Sequence, residues 1–140
     1  MKRASNIMLA FFFFALVTAL PDHSAHSKNL YKESEYQRLW CSRAGGRAEY
    51  VLPDRTRVDC LTDEYAVEVD FAPKWAEAIG QALYYASVTG RRPAVLLIIE
   101  SPTDARYLLR LERVSTTTKF HIMTITPAYL REDLAGSLAP

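Results

Sequence analysis

The chain has 140 residues, of which 49% are hydrophobic and 24% charged, and its formal net charge is +1. This length is enough to bury one core, and the composition gives no reason to expect a second domain. A charge this close to neutral excludes a strongly basic protein that holds duplex DNA through its overall charge, although it is compatible with a local basic groove.

The N-terminal residues have the layout of a secretory signal. Lys2 and Arg3 precede an apolar run over residues 7–20, and Val17-Thr18-Ala19 supplies small residues for cleavage. The run is too short to span a bilayer comfortably. Loss of residues 1–19 would remove two basic residues and no acid, which lowers the formal charge from +1 by two units to −1.

We therefore predict two regions, a signal peptide with a linker over 1–27 and a single domain over 28–140. The expected location is periplasmic or secreted. The alternative is an N-terminal segment that is not cleaved and acts as a membrane anchor.

The first elements of the domain are a helix and three strands. Residues 29–46 have Tyr36, Leu39 and Trp40 at helical spacing and end at a pair of glycines. Residues 47–61 alternate as two strands hinged at Pro53-Asp54-Arg55, which predicts a hairpin, and 64–72 is a third strand.

The second half of the domain continues with helices and strands in alternation. Pro73 opens a long helix and Gly90 closes it. The run 94–100 is apolar up to its final glutamate, which predicts a central or near-central strand covered on both faces. A helix over 101–114 and a strand over 118–127 follow, and the tail after residue 130 carries no readable signal.

Two cysteines, Cys41 and Cys60, are present. An exported chain meets an oxidising compartment in which such a pair tends to form a disulfide. Their spacing lacks the close pairs typical of zinc motifs. The sequence leaves two interpretations open, a Cys41–Cys60 disulfide or two buried free thiols.

Three carboxylates fall on one predicted face of the sheet. The two-residue period of strands puts Asp59 of the second strand and Glu68 and Asp70 of the third on the same side if these strands pair in register. Buried carboxylates are costly unless their charge is compensated, and a divalent cation compensates it well. The alternative is an ordinary solvated face with polar alternation.

Polar residues of the strands and of the following helix form the pattern E49…D59…E68-V-D70…Q81-A-L-Y-Y85. This pattern and the order of elements resemble the PD-(D/E)XK nuclease superfamily, which has the restriction-endonuclease-like fold. Gln81 and Tyr85, four apart on the helix after the third strand, are similar to the QxxxY motif found in nuclease domains of bacterial recombination helicase-nucleases. The resemblance covers roughly residues 30–126.

The resemblance implies a fold and a set of metal ligands. The fold would be α/β, an αβββαβ core followed by a further helix and strand, with a central mixed sheet flanked by helices. Asp59 and Glu68 would bind Mg²⁺ or Mn²⁺, with Asp70 as a third carboxylate. A further acid would come from the first helix, as Glu33 or Glu35, or from Glu49 on the first strand.

The remaining implied roles belong to the helix after the third strand. Gln81 and Tyr85 would contact substrate. The sequence departs from the family pattern at one position, because Asp70 stands two residues after Glu68 where a lysine is expected. Lys74 could supply the catalytic lysine from the following helix, as it does in some members of the superfamily.

The sequence thus predicts an exported, Mg²⁺-dependent nuclease-like hydrolase that cuts phosphodiester bonds of DNA. The alternative is a catalytically silent domain with the same fold that acts as a binding or interaction protein of the cell envelope. Asp70 at the lysine position favours this alternative, because an extra acid without a cation would leave the attacking water without an activating group.

Overall fold

The computed structural model describes residues 29–137, so the signal and linker predicted for 1–27 lie outside the described residues. The described chain is α/β, with a five-stranded mixed sheet and four helices. The strands are β1 (Arg47–Val51), β2 (Arg57–Leu61), β3 (Tyr65–Phe71), β4 (Arg92–Ile98) and β5 (His121–Ile125). The helices are α1 (Glu33–Arg43), α2 (Trp75–Thr89), α3 (Ala105–Ser115) and α4 (Pro127–Ser137). None of the helices in this part of the chain is long and apolar enough to cross a membrane.

The strands lie side by side in chain order, from β1 to β5. The first three form an antiparallel meander, and β4 and β5 are parallel to β3. The short connections between β1, β2 and β3 allow antiparallel pairing, while α2 and α3 provide the long crossovers that parallel strands require. The prediction of a near-central β4 is confirmed, because its residues from Ala94 to Ile98 are buried between β3 and β5.

The sheet has an apolar layer on each face. Alternate residues of β4 contribute to the two layers, as a strand buried on both faces should. One layer packs beneath α1 and α4 and includes Tyr36, Val67, Val69, Leu96 and Ile98. The other packs beneath α2 and α3 and includes Ala78, Ala82, Val95, Leu97 and Leu111.

The long second helix begins slightly later than its proline suggested. Pro73 lies in a 3₁₀ turn, Ala72–Lys74, and α2 proper begins at Trp75. Gly90 ends α2 with a φ of 69°, a left-handed conformation that glycine adopts without steric cost. The 3₁₀ turn places Lys74 at the junction between β3 and α2.

Helix α4 (Pro127–Ser137) occupies the tail in which the sequence showed no signal, so the sequence missed this element. Its proline opens the helix where the missing N–H has no hydrogen-bond partner to lose. Leu130 is buried in the layer beneath α1, and Arg43 of α1 forms an ion pair with Asp133 at 2.6 Å. The fold after β5 therefore ends by packing α4 against α1.

A disulfide joins Cys41, at the end of α1, to Cys60 of β2. Gly46 passes directly over it, because a Cβ at this position would lie 2.4 Å from the Cys60 sulfur and 2.9 Å from the Cys41 sulfur. A side chain here would have to displace the bridge. The disulfide thus fixes the helix against the strand that carries Asp59.

Candidate functional site

An open cleft of about 490 Å³ lies where α1, the β1–β2 hairpin, β3 and α2 meet. Its walls are unusually rich in charge. The charged residues that define its floor and rim include Glu33, Glu49, Asp59, Glu68, Asp70 and Lys74. The predicted sharing of one face by Asp59, Glu68 and Asp70 is therefore what the structure has.

The cleft begins where β2 and β3 stop pairing. The two strands pair at Cys60 with Val67 and at Leu61 with Ala66, and the ladder does not continue to Asp59. Instead, the backbone N–H of Val69 donates to Oδ2 of Asp59 at 2.8 Å. The side chain of Asp59 thus satisfies an amide that would otherwise lack its ladder partner, and the strands separate around it.

Glu68 is buried in the cleft, with only 5% of its surface exposed. Its Oε2 is buried and, in the ionised form, has no hydrogen-bond partner within the described residues, whereas the protonated carboxyl donates to Asp59. Burial, and next the nearby Asp59 and Asp70 charges, raise the pKa of Glu68 to about 9. A buried carboxylate with a free oxygen is costly for a fold, and a bound cation would offset that cost.

Asp70 lies on the same face of β3 as Glu68 and is 3% exposed. Its Oδ1 accepts from the backbone N–H of Phe71 at 2.8 Å and lies 3.4 Å from the Nζ of Lys74. Lys74 lies in the 3₁₀ turn, and its side chain is 55% exposed. Its ammonium therefore lies at the rim of the cleft, next to Asp70. Lys74 therefore faces the acids and not the bulk solvent alone.

The other two carboxyls of this trio are also harder to ionise than usual. Burial is the main cause in both cases, and neighbouring carboxylates add to it. The pKa of Asp59 rises to about 6, with Glu49 and Asp70 contributing. The pKa of Asp70 rises to about 7, because the effect of Glu33 adds to burial and the effect of Lys74 opposes it.

Glu49 of β1 is held at the cleft by two partners. Its Oε1 accepts from the amide of Gln37 at 2.6 Å, and its Oε2 pairs with Arg57 at 2.7 Å. Gln37 is 4% exposed and also donates to the backbone carbonyl of Asp59 at 2.8 Å. This buried amide of α1 links β1 to β2 beneath the site, and nothing in the helical pattern distinguished it beforehand.

The two glutamates of the first helix have different locations. Glu33 lines the cleft, and burial is the main cause that raises its pKa. Glu35 accepts from the backbone N–H of Lys32 at 2.7 Å, which caps α1, and it borders a separate groove next to α4. Of the two candidates, the structure brings Glu33, and not Glu35, to Asp70.

Gln81 and Tyr85 both line the α2 wall of the cleft. The hydroxyl of Tyr85 donates to Oε1 of Gln81 at 3.3 Å, and the amide of Gln81 donates to Glu77 at 3.3 Å. Burial raises the pKa of Tyr85 to about 12, so it stays a neutral hydrogen-bond donor at neutral pH. The pair presents polar groups along one side of the acids.

The donor set of the cleft suits a hard divalent cation. No group of three or more His, Cys, Asp and Glu side chains within residues 29–137 has a metal-binding arrangement as it stands. Mg²⁺, however, commonly binds through one or two carboxylates and keeps several waters. The free, buried Oε2 of Glu68 next to Asp59 and Asp70 fits that mode.

No protein-family model, curated protein or solved structure matches this chain. The function must therefore be argued from the cleft itself.

Proposed function

We propose that this chain is an exported, metal-dependent nuclease-like protein of the PD-(D/E)XK type that hydrolyses phosphodiester bonds of DNA. The observation that carries the proposal is the buried, unpartnered Oε2 of Glu68 beside Asp59 and Asp70. The order of elements supports it, since a helix, three antiparallel strands, a helix and a parallel strand agree with the expected αβββαβ core.

Asp59, Glu68 and Asp70 would hold Mg²⁺ or Mn²⁺. When bound, the ion would lower the pKa of a water molecule and stabilise negative charge on the phosphate. Asp59 is fixed for this role by two hydrogen bonds. The N–H of Val69 donates to its side chain, and the amide of Gln37 donates to its backbone carbonyl. Preorganised ligands lose little freedom when they bind.

Lys74 would replace the lysine that the family motif has at the position of Asp70. Lysine is a cation at neutral pH, and its ammonium can donate three hydrogen bonds. Its distance of 3.4 Å from Asp70 places the charge at the mouth of the cleft. There it would stabilise the negative charge that develops on the phosphate oxygens as the bond to water forms.

Gln81 and Tyr85 would orient the substrate on the α2 side. Their amide and hydroxyl lie along one wall, and both are fixed by hydrogen bonds within α2. Such groups suit sugar and phosphate oxygens, which accept hydrogen bonds and carry little sequence information.

The test is a calorimetric titration of Mg²⁺ and of Mn²⁺ into the mature domain and into its Glu68→Ala variant. Cleavage of single- and double-stranded DNA is measured in parallel. We expect binding by the wild-type domain and its loss in Glu68→Ala, together with a fall in cleavage of at least about 10²-fold. The Glu35→Ala variant is the matched control, because it removes an acid of α1 that lies outside the cleft.

A silent site is the second candidate, and Asp70 in the lysine position favours it. It predicts metal binding that depends on Glu68 with no cleavage in any variant. Absence of metal binding by the wild-type domain would contradict both candidates and leave the acids with a different role.

A further inference from the structure

Arg55, at the tip of the β1–β2 hairpin, has a backbone conformation that its side chain disfavours. Two non-glycine residues in the described part of the chain have a positive φ, Glu49 at 53° and Arg55 at 72°. Both line the acidic cleft. A left-handed conformation is unfavourable for residues with a Cβ, and where it occurs in a well-packed protein it often marks a functional position.

The geometry of the hairpin explains why glycine would be expected here. The N–H of Arg55 donates to the carbonyl of Leu52 at 2.9 Å, and the N–H of Leu52 donates to that of Thr56 at 2.8 Å. Arg55 is thus the last residue of a three-residue hairpin loop, where a left-handed residue follows a tight turn. Glycine is the preferred residue at that position. An arginine at this position is uncommon, which draws attention to its side chain.

The hairpin tip is exposed and is joined to α2 by a side-chain hydrogen bond. Asp54 accepts from the backbone N–H of Thr56 at 3.0 Å and from its hydroxyl at 2.7 Å. The hydroxyl of Tyr84, on α2, donates to the other oxygen of Asp54. The loop that carries Arg55 is therefore anchored to a neighbouring element, so its guanidinium starts from a fixed point on the rim of the cleft.

Three basic residues line the cleft, and two of them already have acidic partners. Lys74 lies next to Asp70, and Arg57 pairs with Glu49. Arg55 forms no ion pair with any residue in 29–137, although the cleft it borders is rich in carboxylates. Its guanidinium is therefore available to an anion that enters from outside, and its planar fork of N–H groups matches the oxygens of a phosphate.

We infer that Arg55 is a phosphate-binding residue that grips the backbone of a nucleic-acid substrate at the hairpin side of the cleft. This inference rests on the proposed function and adds to it a contact that the sequence motif does not contain. Glycine would fit the turn but could not make this contact.

Arg55→Gly separates the two roles of this position, since it relieves the backbone and removes the guanidinium. Arg55→Lys keeps the charge without the fork, and Arg113→Gln is the control, because Arg113 is an exposed arginine of α3 outside the cleft. The affinity for short fluorescent DNA oligonucleotides, single- and double-stranded, is measured by anisotropy at several salt concentrations. Ca²⁺ replaces Mg²⁺ in this assay, since it also takes oxygen ligands.

We expect Arg55→Gly to weaken binding about tenfold. The plot of log affinity against log salt should become shallower, with its slope reduced in magnitude by about one. The melting temperature of Arg55→Gly should not fall below that of the wild type, and relief of the backbone strain should raise it by up to about 5 °C. Arg55→Lys should weaken binding about threefold with an unchanged salt slope, because one phosphate contact and its charge remain. Arg113→Gln should match the wild type in affinity and slope.

Wild-type affinity in Arg55→Gly, from a domain that binds DNA and metal normally, would overturn this inference and leave the proposed function intact. A wild-type domain that binds neither the oligonucleotides nor a divalent cation would overturn both. Equal losses in Arg55→Gly and Arg113→Gln would also overturn the inference, since they would reflect net charge and not a contact at the hairpin.

Discussion

Strand β3 is joined to its two neighbours in very different ways. On the β4 side it pairs along its whole length, from Tyr65 with Arg92 to Phe71 with Ile98, and the residues of β4 from Ala94 onward are buried. On the β2 side it pairs at Cys60 and Leu61, and then a carboxylate enters between the strands. One edge of the same strand is a closed apolar seam, and the other opens into a cleft.

The difference shows how a small domain can tolerate a costly site. Buried carboxyls with raised pKa values weaken the fold locally, since each must be desolvated. The parallel seam between β3 and β4, with apolar layers on both faces, supplies the stability that the open edge lacks. The disulfide at Cys60 then limits how far β2 can move away from β3.

The largest expected effect comes from the closed side. Leu96 is fully buried in β4 beneath α1, so Leu96→Ala should lower the free energy of unfolding by about 2–5 kcal/mol. Chemical denaturation measures this loss, and the affinity for Mg²⁺ should not change. The matched change on the open side, Glu68→Gln, should leave stability equal or higher while metal binding disappears. Similar stability losses in both variants would contradict the division of roles.

The next effect concerns the Cys41–Cys60 disulfide, which limits the separation of β2 from β3. Replacing Cys41 and Cys60 together by alanine should cost about 3 kcal/mol, because the bond closes a loop of 19 residues. Gly46→Ala should weaken the fold by displacing the same bridge, since its new Cβ would fall on the sulfurs. Thermal unfolding with and without reductant measures the stability loss in the double cysteine variant and in Gly46→Ala. The control is Gly80→Ala, at a helical glycine with open space around it, which should not destabilise.

The third expected effect is a dependence of stability on pH that comes from the open side. The folded-state pKa values of Asp59, Asp70 and Glu68, about 6, 7 and 9, all exceed their ordinary values of 3.8, 3.8 and 4.5. The folded state therefore binds more protons than the unfolded state above about pH 4. This part of the stability falls from that pH and is fully lost once the pH has passed the folded-state values of about 6 to 9.

We expect the melting temperature without metal to fall between pH 5 and pH 8. Glu33 and Lys74 face the same carboxyls and act in opposite directions, so the slope measures their sum. Added Mg²⁺ should restore stability at pH 8 more than at pH 5, because the ion binds the ionised carboxylates. Leu96→Ala should keep this slope and Glu68→Gln should reduce it. A flat profile in the wild type would show that the cleft acids are not buried together.

The sequence was most informative where a regular period or a cap applies. The alternation of β3 located Glu68 and Asp70 on one face, and Gly90 located the end of α2. Helix α4 was missed because its apolar residues do not form a clear stripe and Gly136 lies within it.

The cleft contains further features that no local pattern encodes. Gln37 acts through bonds to residues 12 and 22 positions away, and the break in the β2–β3 ladder depends on a side chain taking the place of a backbone partner. The left-handed conformation of Arg55 contradicts the usual residue preference for its turn, so only the folded backbone reveals it.

The Cys41–Cys60 bridge also changes how the protein would respond to proteases. The exposed tip of the β1–β2 hairpin is the kind of loop that proteases cut first, and it lies between the two cysteines. A single cut there would leave two fragments that are still covalently joined. The nicked chain would therefore migrate as one species on a non-reducing gel and keep both walls of the cleft attached.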